Sequence, residues 1–241
     1  MNLEVVSLIF QSTDYLFFIE DQMLKYCHDF DDVNVSLRIV ANDPTTKVLN
    51  ALPQLKIPYV VYNSPNPSEY YINRVYRCFN YCVTSSNADL VCLINSDMGF
   101  SVDWLKPLVK LHKENYLPTS RLVESGKMLS GLHAISQDFG KNPKTFREED
   151  WLYYASLIKE DKFLEGGLFG PVLYDKYEFI LTGKYPEGNI YSDGVGTNHG
   201  HPIDVSDNYF FKVIEKLTGR KHVTSFESVV YHIQEGEKDE Q

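Results

Sequence analysis

The stretch Ala88-Asp-Leu-Val-Cys-Leu-Ile-Asn-Ser-Asp-Met-Gly99 decides the fold that the sequence predicts. Residues 90–94 form an unbroken apolar run that is too short for a helix and too uniform for a half-exposed strand, so it predicts a strand buried on both faces. The run ends at Asn95-Ser96-Asp97. Polar side chains at the carboxyl end of a central parallel strand lie where open α/β sheets bind ligands, although Asn and Asp also favour ordinary turns.

The segments around this strand alternate between strand-like and helix-like patterns. Apolar runs and period-two alternation predict strands at residues 5–10, 33–40, 57–62, 127–135, 164–174 and 223–232. Helical spacing of apolar residues predicts helices at residues 15–26, 69–85, 102–113, 151–163, 174–182 and 205–217. We therefore predict an α/β fold with a doubly wound, mostly parallel central sheet flanked by helices, together with a long loop at 184–202 and a charged tail at 234–241.

The chain of 241 residues is acidic, with 33 Asp and Glu against 23 Lys and Arg and a formal net charge of −10. Nucleic-acid binding depends on clustered Lys and Arg that neutralise phosphates. The acidic balance therefore argues against nucleic acid as a partner, although it leaves room for a local basic groove. The length suits one large α/β domain, and we expect residues 1–241 to form a single domain.

Neither the apolar runs nor the cysteines indicate a membrane-bound or secreted protein. No run approaches the ~20 apolar residues of a membrane-spanning helix, and residues 1–10 lack the basic region and cleavage site of a signal peptide. The cysteines show no second Cys/His pair at zinc-site spacing. We interpret them as free buried thiols: Cys27, Cys78, Cys82 and Cys92. These features predict a reduced, cytoplasmic protein without a transmembrane segment.

Three polar features that are distant in sequence are expected to meet at the carboxyl edge of the sheet. They are Asn42-Asp43, Asn95-Ser96-Asp97 and the polar face of the helix at 69–85. The amide and carboxylate of the first pair can hydrogen-bond a base or ribose edge. Asp97 can hold Mg²⁺ or Mn²⁺, which proteins usually bind through one or two carboxylates plus phosphate oxygens. A metal that bridges two phosphates would offset the charge of a nucleotide leaving group.

In their order and spacing, these features resemble the GT-A fold glycosyltransferases, specifically those of family 2, which move a sugar from a nucleotide donor. Residues 5–12 resemble the family's opening strand, and Val40-Ala-Asn-Asp-Pro-Thr45 stands where the family has an Asp-Asp-Gly-Ser segment that contacts uracil. Residues 80–89 resemble the family's Asn-x-Gly-Ile…Ala-x-Gly helix end. Leu93-Ile-Asn-Ser-Asp97 stands at the Asp-x-Asp motif, with Asn95 in place of the first acid.

The resemblance extends over nearly the whole chain. Glu165-Gly-Gly-Leu-Phe-Gly-Pro-Val-Leu173, with Tyr185-Pro-Glu-Gly188 further on, resembles the family's glycine-rich strand on the acceptor side. Val205-Ser-Asp-Asn-Tyr-Phe-Phe211 resembles the Glu-Asp helix start that supplies the catalytic base, with Ser206 in place of the glutamate. Val229-Val-Tyr-His232 resembles the terminal strand whose histidine completes the metal site.

The resemblance implies a role for each candidate residue. Asp207 would act as the general base that deprotonates an acceptor hydroxyl, in a single displacement with inversion. Asp97 and His232 would hold Mn²⁺ or Mg²⁺ together with the phosphates of the donor. The implied donor-binding residues are Gln11, Ser12, Asn42, Asp43, Arg74, Asn80, Asn95, Ser96 and Asp97, and the implied acceptor-binding residues are Gly166, Gly167, His199 and His201.

The predicted function is transfer of a sugar from a nucleoside diphosphate donor to a hydroxyl acceptor. The resemblance implies a UDP-linked donor, and the acidic balance favours a glycan or small molecule as the acceptor. Residues 1–136 would form the nucleotide-sugar-binding half, whereas residues 137–241 would bind the acceptor and supply the base.

Other interpretations of the same residues remain open at this point. A nucleotidyltransferase would carry a glycine-rich loop with Lys or Arg after its first strand, and Gln11-Ser-Thr-Asp14 has neither. A non-catalytic nucleotide- or sugar-binding module of the same fold is favoured by Asn95. In purely structural terms, Asp207 could simply begin a helix, Gly166-Gly167 could form a bulge, and the loop around His199-Gly-His201 could be solvated.

Overall fold

The computed structural model describes residues 1–126 and 129–234. Its helices are α1 (Thr13–Tyr26), α2 (Thr46–Ala51), α3 (Tyr71–Thr84), α4 (Leu105–Lys113), α5 (Glu148–Ile158), α6 (Lys176–Leu181) and α7 (Ser206–Thr218). Its strands are β1 (Asn2–Ile9), β2 (Asn34–Asn42), β3 (Tyr59–Tyr62), β4 (Leu90–Ile94), β5 (Met98–Phe100), β6 (Tyr116–Glu124), β7 (Ile135–Ser136), β8 (Phe163–Glu165), β9 (Val172–Asp175), β10 (Ile190–Tyr191), β11 (Gly194–Val195), β12 (Pro202–Asp204) and β13 (Lys221–His232). None of the helices in these ranges has the length and apolar character needed to cross a membrane.

Ten strands of the described residues form one curled sheet in the order β3-β2-β1-β4-β9-β6-β13-β5, with β7 beside β6 and β8 beside β13. Strands β3, β2, β1 and β4 pair in parallel, whereas β9 joins β4 and β6 in antiparallel orientation. Strands β6 and β13 are parallel, and the short strands β5 and β8 run antiparallel to β13. The predicted α/β fold with a helix-flanked central sheet is confirmed.

Strand β4 is the predicted central strand, and every residue in it is buried. It pairs with β1 on one side and with β9 on the other. Leu90, Cys92 and Ile94 belong to one apolar core, whereas Val91 and Leu93 belong to a second core. Because successive side chains of a strand point to opposite faces, the two cores lie on the two sides of the sheet, and the prediction of a doubly buried strand is confirmed.

The predicted strand at 127–135 is wrong where the structure describes it. Residues 129–134 form no strand, and Ile135 belongs only to the two-residue β7. Lys127 and Met128 lie outside the described residues. The long strand of this region is β6, which ends before this segment begins.

Polar residues within β6 concealed it from a search for apolar patterns. The Thr119 hydroxyl donates a hydrogen bond to the Val223 carbonyl oxygen at 3.2 Å, and the hydroxyls of Ser120 and Ser228 lie 2.8 Å apart. The neighbouring strand β13 therefore satisfies these groups, and a segment with a polar sequence lies inside the sheet without unpaired hydroxyls at these positions.

Two predicted segments have more internal structure than their patterns indicated. The predicted strand at 164–174 forms two short strands, β8 and β9, because the chain turns at Gly166 and Gly167 with φ of +76° and +125°. A Cβ at Gly167 would lie 1.8 Å from Oγ1 of Thr224, so a close approach to the protein's own strand β13 explains this glycine. The predicted loop at 184–202 contains β10 and β11, which form a small three-stranded sheet with β12.

The bounds of one helix differ clearly from the prediction, and two short elements were not predicted. The helix predicted at 151–163 is α5, which begins earlier and ends at Ile158. Helix α2 and strand β5 were missed because six and three residues are too few to show a clear periodicity. Of the predicted tail, residues 235–241 lie outside the described residues.

The four cysteines are free and buried, as predicted. Burial raises the pKa of the Cys27 thiol to about 12 and raises the pKa of the Cys92 thiol well above its ordinary value. Because the thiolate is the reactive form of cysteine, these two thiols have a structural role in the core.

Trp151 is the fully buried anchor of α5. Its ring packs against Phe139 and Tyr231, and its Nε1 donates a hydrogen bond to the Phe100 carbonyl oxygen at 3.3 Å. We expect Trp151→Ala to lower the free energy of unfolding by about 3–5 kcal/mol, measured by urea denaturation. Tyr153→Ala on the exposed face of the same helix should change it by less than about 0.5 kcal/mol. Equal losses in both variants would contradict this account of the packing.

Candidate active site

A cavity of about 630 Å³ opens at the carboxyl ends of β1, β2 and β4, next to α3, the start of α7 and the end of β13. It brings together seven of the predicted site residues, from both halves of the sequence. These are Gln11, Asn42, Asn95, Ser96, Asp97, Asp207 and His232. The cavity lies at the edge of the sheet where the sequence pattern predicted a ligand site.

Asp97 and His232 meet because the short strand β5 pairs with β13. Met98 lies across from His232 in this antiparallel pair, and the Ile233 N–H donates a hydrogen bond to the Asp97 carbonyl oxygen at 2.9 Å. As a result, Oδ2 of Asp97 lies 3.3 Å from Nε2 of His232. The other carboxylate oxygen, Oδ1, is buried and has no hydrogen-bond partner among the described residues. The pair therefore keeps an acceptor oxygen for a ligand.

Glu124 completes this cluster and was missed in the sequence. It is the last residue of β6, lies across from His232 of β13 and is fully buried. Its Oε1 accepts a hydrogen bond from Nδ1 of His232 at 2.9 Å, and its two oxygens also accept hydrogen bonds from Ser130 and Gln234. The only sign in the sequence would have been an acid at the end of a strand. Because the strand was predicted at 127–135, Glu124 was placed before a strand and not at the end of one.

The two carboxylates determine the charge of His232. Burial alone lowers the pKa of the imidazole, but Asp97 and Glu124 more than offset this effect and raise the pKa to about 10. Because Glu124 accepts from Nδ1, Nε2 is the nitrogen that faces Asp97. Histidines that bind metal ions usually donate their other ring N–H to a carboxylate, a backbone carbonyl or water, and Glu124 is such an acceptor.

Asp97 and His232 fit a divalent cation. The unpartnered Oδ1 of Asp97 is a hard oxygen ligand, and the second nitrogen of His232 is already held by Glu124. Residues 1–126 and 129–234 contain no cluster of three or more His, Cys, Asp or Glu side chains suited to a metal. The protein would therefore supply two ligands, and phosphate or water oxygens would complete the shell, as is usual for Mg²⁺.

Asp207 lies in the first turn of α7 and faces α3 across the cavity wall. The Tyr76 hydroxyl donates a hydrogen bond to its carboxylate, and the Asn208 N–H donates another to Oδ1 at 2.8 Å. Burial nevertheless raises the pKa of Asp207 above that of an ordinary aspartate. A carboxylate with a raised pKa in a cavity is a stronger proton acceptor than one in solvent and is a candidate general base.

Ser206 fixes the position of Asp207. Its hydroxyl donates a hydrogen bond to the Pro186 carbonyl oxygen at 2.7 Å, and its N–H donates one to Oδ1 of Asn189 at 3.2 Å. Ser206 is fully buried. The residue that stands in place of the family's glutamate therefore ties the start of α7 to the preceding segment.

At the end of β2, Asn42 and Asp43 have different surroundings. Asn42 is 2% exposed, lines the cavity, and its Oδ1 has no hydrogen-bond partner among the described residues. Both oxygens of Asp43 are occupied, because Oδ1 accepts from the Ser64 N–H at 2.6 Å and Oδ2 accepts from Nη1 of Arg74 at 2.9 Å. Asn42 is therefore the residue of this pair that can bind a ligand directly.

The Arg74 guanidinium, held by Asp43, lies beside two aromatic rings. It is 5.5 Å from the ring centre of Phe10 and 5.9 Å from that of Tyr71. These two rings are 5.5 Å apart and both line the cavity. Together they form an aromatic wall next to Asn42, a surface on which a planar base can stack.

Ser12 and Asn80 have structural partners. Ser12 caps α1 by accepting a hydrogen bond from the Tyr15 N–H at 3.4 Å. Both polar atoms of the Asn80 amide bond to the backbone of Tyr185, each at 2.9 Å. Neither residue lines the cavity.

The predicted acceptor-binding residues also lie outside the cavity lining. Gly166 and Gly167 pack against β13, where the Thr224 hydroxyl donates a hydrogen bond to the Gly166 carbonyl oxygen. His199 and His201 are exposed in the segment between β11 and β12. The side chains beside Asp207 include the aromatic rings of Tyr76 and Tyr185, which were not among the predicted site residues.

Comparisons with known proteins give structural matches. No protein-family profile matches the sequence, and no curated protein matches it significantly. S. aureus TarS 1-349 matches 96% of the chain at 12% identity with a TM-score of 0.59. GalNAc-T7 with UDP, GalNAc and Mn²⁺ matches 96% at 11% identity with a TM-score of 0.58. The mannosyltransferase PcManGT from Pyrobaculum calidifontis, in complex with GDP-Man and Mn²⁺, matches 96% at 10% identity with a TM-score of 0.58.

The chain spans 60%, 44% and 56% of the lengths of these three structures, respectively. At such low identities the matches concern the arrangement of helices and strands. All three proteins are GT-A glycosyltransferases. The chain therefore has the GT-A fold.

Proposed function

We propose that the protein is a glycosyltransferase that moves a sugar from a nucleoside diphosphate donor to an acceptor hydroxyl with inversion. The observation that carries this proposal is the single cavity that holds both Asp207 and the Asp97–His232 pair. A carboxylate base and a candidate cation site are the groups that such a transfer needs. The GT-A fold supports the proposal, since the three similar structures are glycosyltransferases.

In the proposed reaction, the Asp207 carboxylate takes the proton of the acceptor hydroxyl as the hydroxyl oxygen attacks the anomeric carbon. The bond from this carbon to the diphosphate oxygen breaks on the other face, so the configuration inverts and no covalent enzyme intermediate forms. Tyr76 holds the carboxylate in place through its hydrogen bond. In this scheme residues 1–136 bind the donor and residues 137–241 supply the base, within one domain.

Asp97 and His232 would hold Mn²⁺ or Mg²⁺, which when bound supplies positive charge to the diphosphate leaving group. Among the described residues, no lysine or arginine lines the cavity. A histidine that binds a metal ion is neutral, so with His232 as a ligand the ion itself would supply the positive charge beside the diphosphate. We therefore propose that activity depends on the divalent ion, even with Asn95 in place of an acid.

We propose a uridine nucleotide as the donor. The unpartnered side-chain oxygen of Asn42 can accept the N–H of uracil, next to the aromatic wall of Phe10 and Tyr71. Guanine also offers an N–H, and the structure of PcManGT is a complex with GDP-Man. Both nucleotides therefore belong in the test.

The experiment is an assay of nucleotide release by the purified protein, with Mn²⁺ and a panel of UDP- and GDP-linked sugars. We expect UDP release from one or more donors, its loss with a chelator and its recovery when Mn²⁺ is added back. Calorimetry with UDP and Mn²⁺ accompanies the assay. Tight UDP binding without release from any donor would contradict catalysis and would favour a binding module instead.

The pH dependence of the rate tests the role of Asp207 separately. Only the deprotonated carboxylate can act as a base, so the rate falls as pH drops through its pKa, which burial raises. The Tyr76 hydrogen bond lowers this pKa, so Tyr76→Phe should move the acidic limb of the kcat profile to higher pH. Tyr70→Phe, an exposed tyrosine before the same helix, should leave the profile unchanged. An unshifted limb in Tyr76→Phe would refute this coupling.

Glu124 should control cation affinity through His232. Glu124→Ala removes the acceptor behind the imidazole and is expected to weaken Mn²⁺ binding by about 10- to 100-fold, measured by calorimetry. It also removes the acceptor of part-buried hydrogen bonds from Ser130 and Gln234 and should therefore lower the free energy of unfolding. Binding is therefore measured below the unfolding temperature of the variant.

The control for this change is Glu165→Ala, which removes an exposed carboxylate at the end of β8. This variant should bind Mn²⁺ as the unchanged protein does. Wild-type Mn²⁺ affinity in folded Glu124→Ala would show that the carboxylate does not orient His232.

A further inference from the structure

The apolar face of α3 is fully covered by protein at only one end. Cys82, near the carboxyl end of the helix, is fully buried in the core. Ile72, Val75 and Phe79 belong to the same face, but they are only partly buried and line the cavity. An amphipathic helix normally buries this face against its own protein. Here its first two turns leave an apolar surface that a ligand can cover.

An aromatic group joins this surface to Asp207. The rings of Tyr76, Phe79 and Tyr185 all line the cavity, with centroid distances of 5.4 Å between Tyr76 and Tyr185 and 6.1 Å between Phe79 and Tyr185. Tyr76 also donates the hydrogen bond to Asp207. The candidate base is therefore adjacent to a wall of rings, on which the apolar face of a ligand can pack.

The segment before β9 adds a further apolar surface to the cavity. Leu168 and Phe169 line the cavity, and the Phe169 ring is held by an edge contact with Phe211 of α7 at 4.9 Å. This segment follows Gly166 and Gly167, for which the family resemblance implies a place on the acceptor side. Its contribution to the cavity is apolar, so the surface of α3 has an apolar counterpart on a second element.

The charges around the cavity are unfavourable for an anionic acceptor. Among the described residues, the charged side chains of its lining are Asp97, Asp207 and His232, and the histidine is already engaged by two carboxylates. The two arginines of α3 are also ion-paired, Arg74 with Asp43 and Arg77 with Glu69 and Glu187. A phosphate or carboxylate beside Asp207 would thus lie next to a like charge without a described cationic partner.

We infer that the acceptor is an uncharged hydroxyl compound with an extended apolar or aromatic surface, such as a glycoside with an apolar aglycone. Its hydroxyl faces Asp207, and its apolar part covers Ile72, Val75 and Phe79. The part of this inference that makes the bound compound an acceptor rests on the proposed function. It goes beyond that proposal because it specifies the acceptor's charge and shape.

The test compares acceptors that differ in one property at a time. Nucleotide release without acceptor first establishes donor turnover. Free hexoses, their octyl and p-nitrophenyl glycosides, hexose 6-phosphates and p-nitrophenyl glucuronide are then compared as acceptors by kcat/KM. We expect the octyl and aryl glycosides to exceed the free hexoses by about tenfold or more, since each buried CH₂ adds roughly fourfold. We expect the 6-phosphates and the glucuronide to be the poorest acceptors.

Direct binding separates this inference from the proposed function. Saturation-transfer NMR with the p-nitrophenyl glycosides and the glucuronide reports on the cavity even if no donor turns over. Stronger binding of the uncharged glycosides would support the inference in either case. A preference for the phosphorylated or carboxylated compounds, or equal use of free hexose and octyl glycoside, would overturn it.

Charge insertion on α3 provides the variant test. Val75→Lys places a cation on the apolar surface, so the ratio of kcat/KM, or of binding, for the glucuronide over the uncharged glycoside should rise at least about tenfold. Thr84→Lys, at the end of the same helix and outside the cavity lining, is the matched control and should leave this ratio unchanged. An unchanged ratio in Val75→Lys would place the acceptor elsewhere.

Discussion

Asp207→Asn is expected to lower kcat for transfer by about 10²- to 10⁴-fold, the contribution of a general base. The amide keeps an oxygen that can accept the hydrogen bonds from Tyr76 and the Asn208 N–H, so the shape of the site is preserved. It cannot take the acceptor proton. The measurement is single-turnover transfer with saturating donor and acceptor, so that binding does not limit the rate.

A neighbouring acid provides the control for Asp207. Asp204→Asn removes a carboxylate that is ion-paired with Lys212 and hydrogen-bonded to Asn208, but it does not line the cavity. We expect it to keep most of the activity, and both variants should bind UDP as the unchanged protein does. Full activity of Asp207→Asn would show that another group accepts the proton.

Asp97→Asn is expected to produce the second large loss. The cation contributes several kcal/mol of charge stabilisation, and each 1.4 kcal/mol is tenfold in rate, so transfer should fall by about 10²-fold or more. The physical reason is specific to this cavity: among the described residues no lysine or arginine lines it, and Oδ1 of Asp97 has no hydrogen-bond partner there. Mn²⁺ affinity by calorimetry should fall in parallel.

Two variants provide comparisons for Asp97→Asn. Asp103→Asn removes an exposed acid that pairs with Lys106 on the way to α4, and it should change neither Mn²⁺ affinity nor rate. Asn95→Asp adds the acid that the family's motif has and should tighten Mn²⁺ binding, because Asn95 lines the cavity two residues before Asp97. Wild-type Mn²⁺ affinity in Asp97→Asn would contradict the assigned site.

The sequence predicted the fold well where the hydrophobic pattern of a single strand determines its burial. Residues 90–94 are apolar without interruption because both faces of β4 are buried, and such a run is visible without knowledge of its neighbours. Because ligand sites of such sheets lie at the carboxyl ends of the strands, the sequence also predicted that Asn42 and Asp97 lie close together. The structure places both in one cavity, whereas their roles remain predictions.

The parts that failed depend on partners in other segments. Strand β6 is polar where β13 supplies hydrogen-bond partners, so its own pattern concealed it and, with it, Glu124. Asp43 shows a related difficulty. Its residue type suggested a ligand contact, which stays a prediction, and nothing in the sequence indicated that Ser64 and Arg74 would donate hydrogen bonds to its oxygens. Neither neighbour can be assigned from sequence spacing alone.

The position of β13 inside the sheet also sets the time at which the site can form during synthesis. Glu124 and His232, which face each other across β6 and β13, are 108 residues apart in the chain. A ribosome that adds 5–20 residues per second needs roughly 5–20 s to cover that distance. Throughout this interval one edge of β6 has no partner strand, a state that invites pairing with other chains. The Asp97–His232 pair therefore cannot form until β13 has been synthesised, and that edge of β6 stays open to other chains until then.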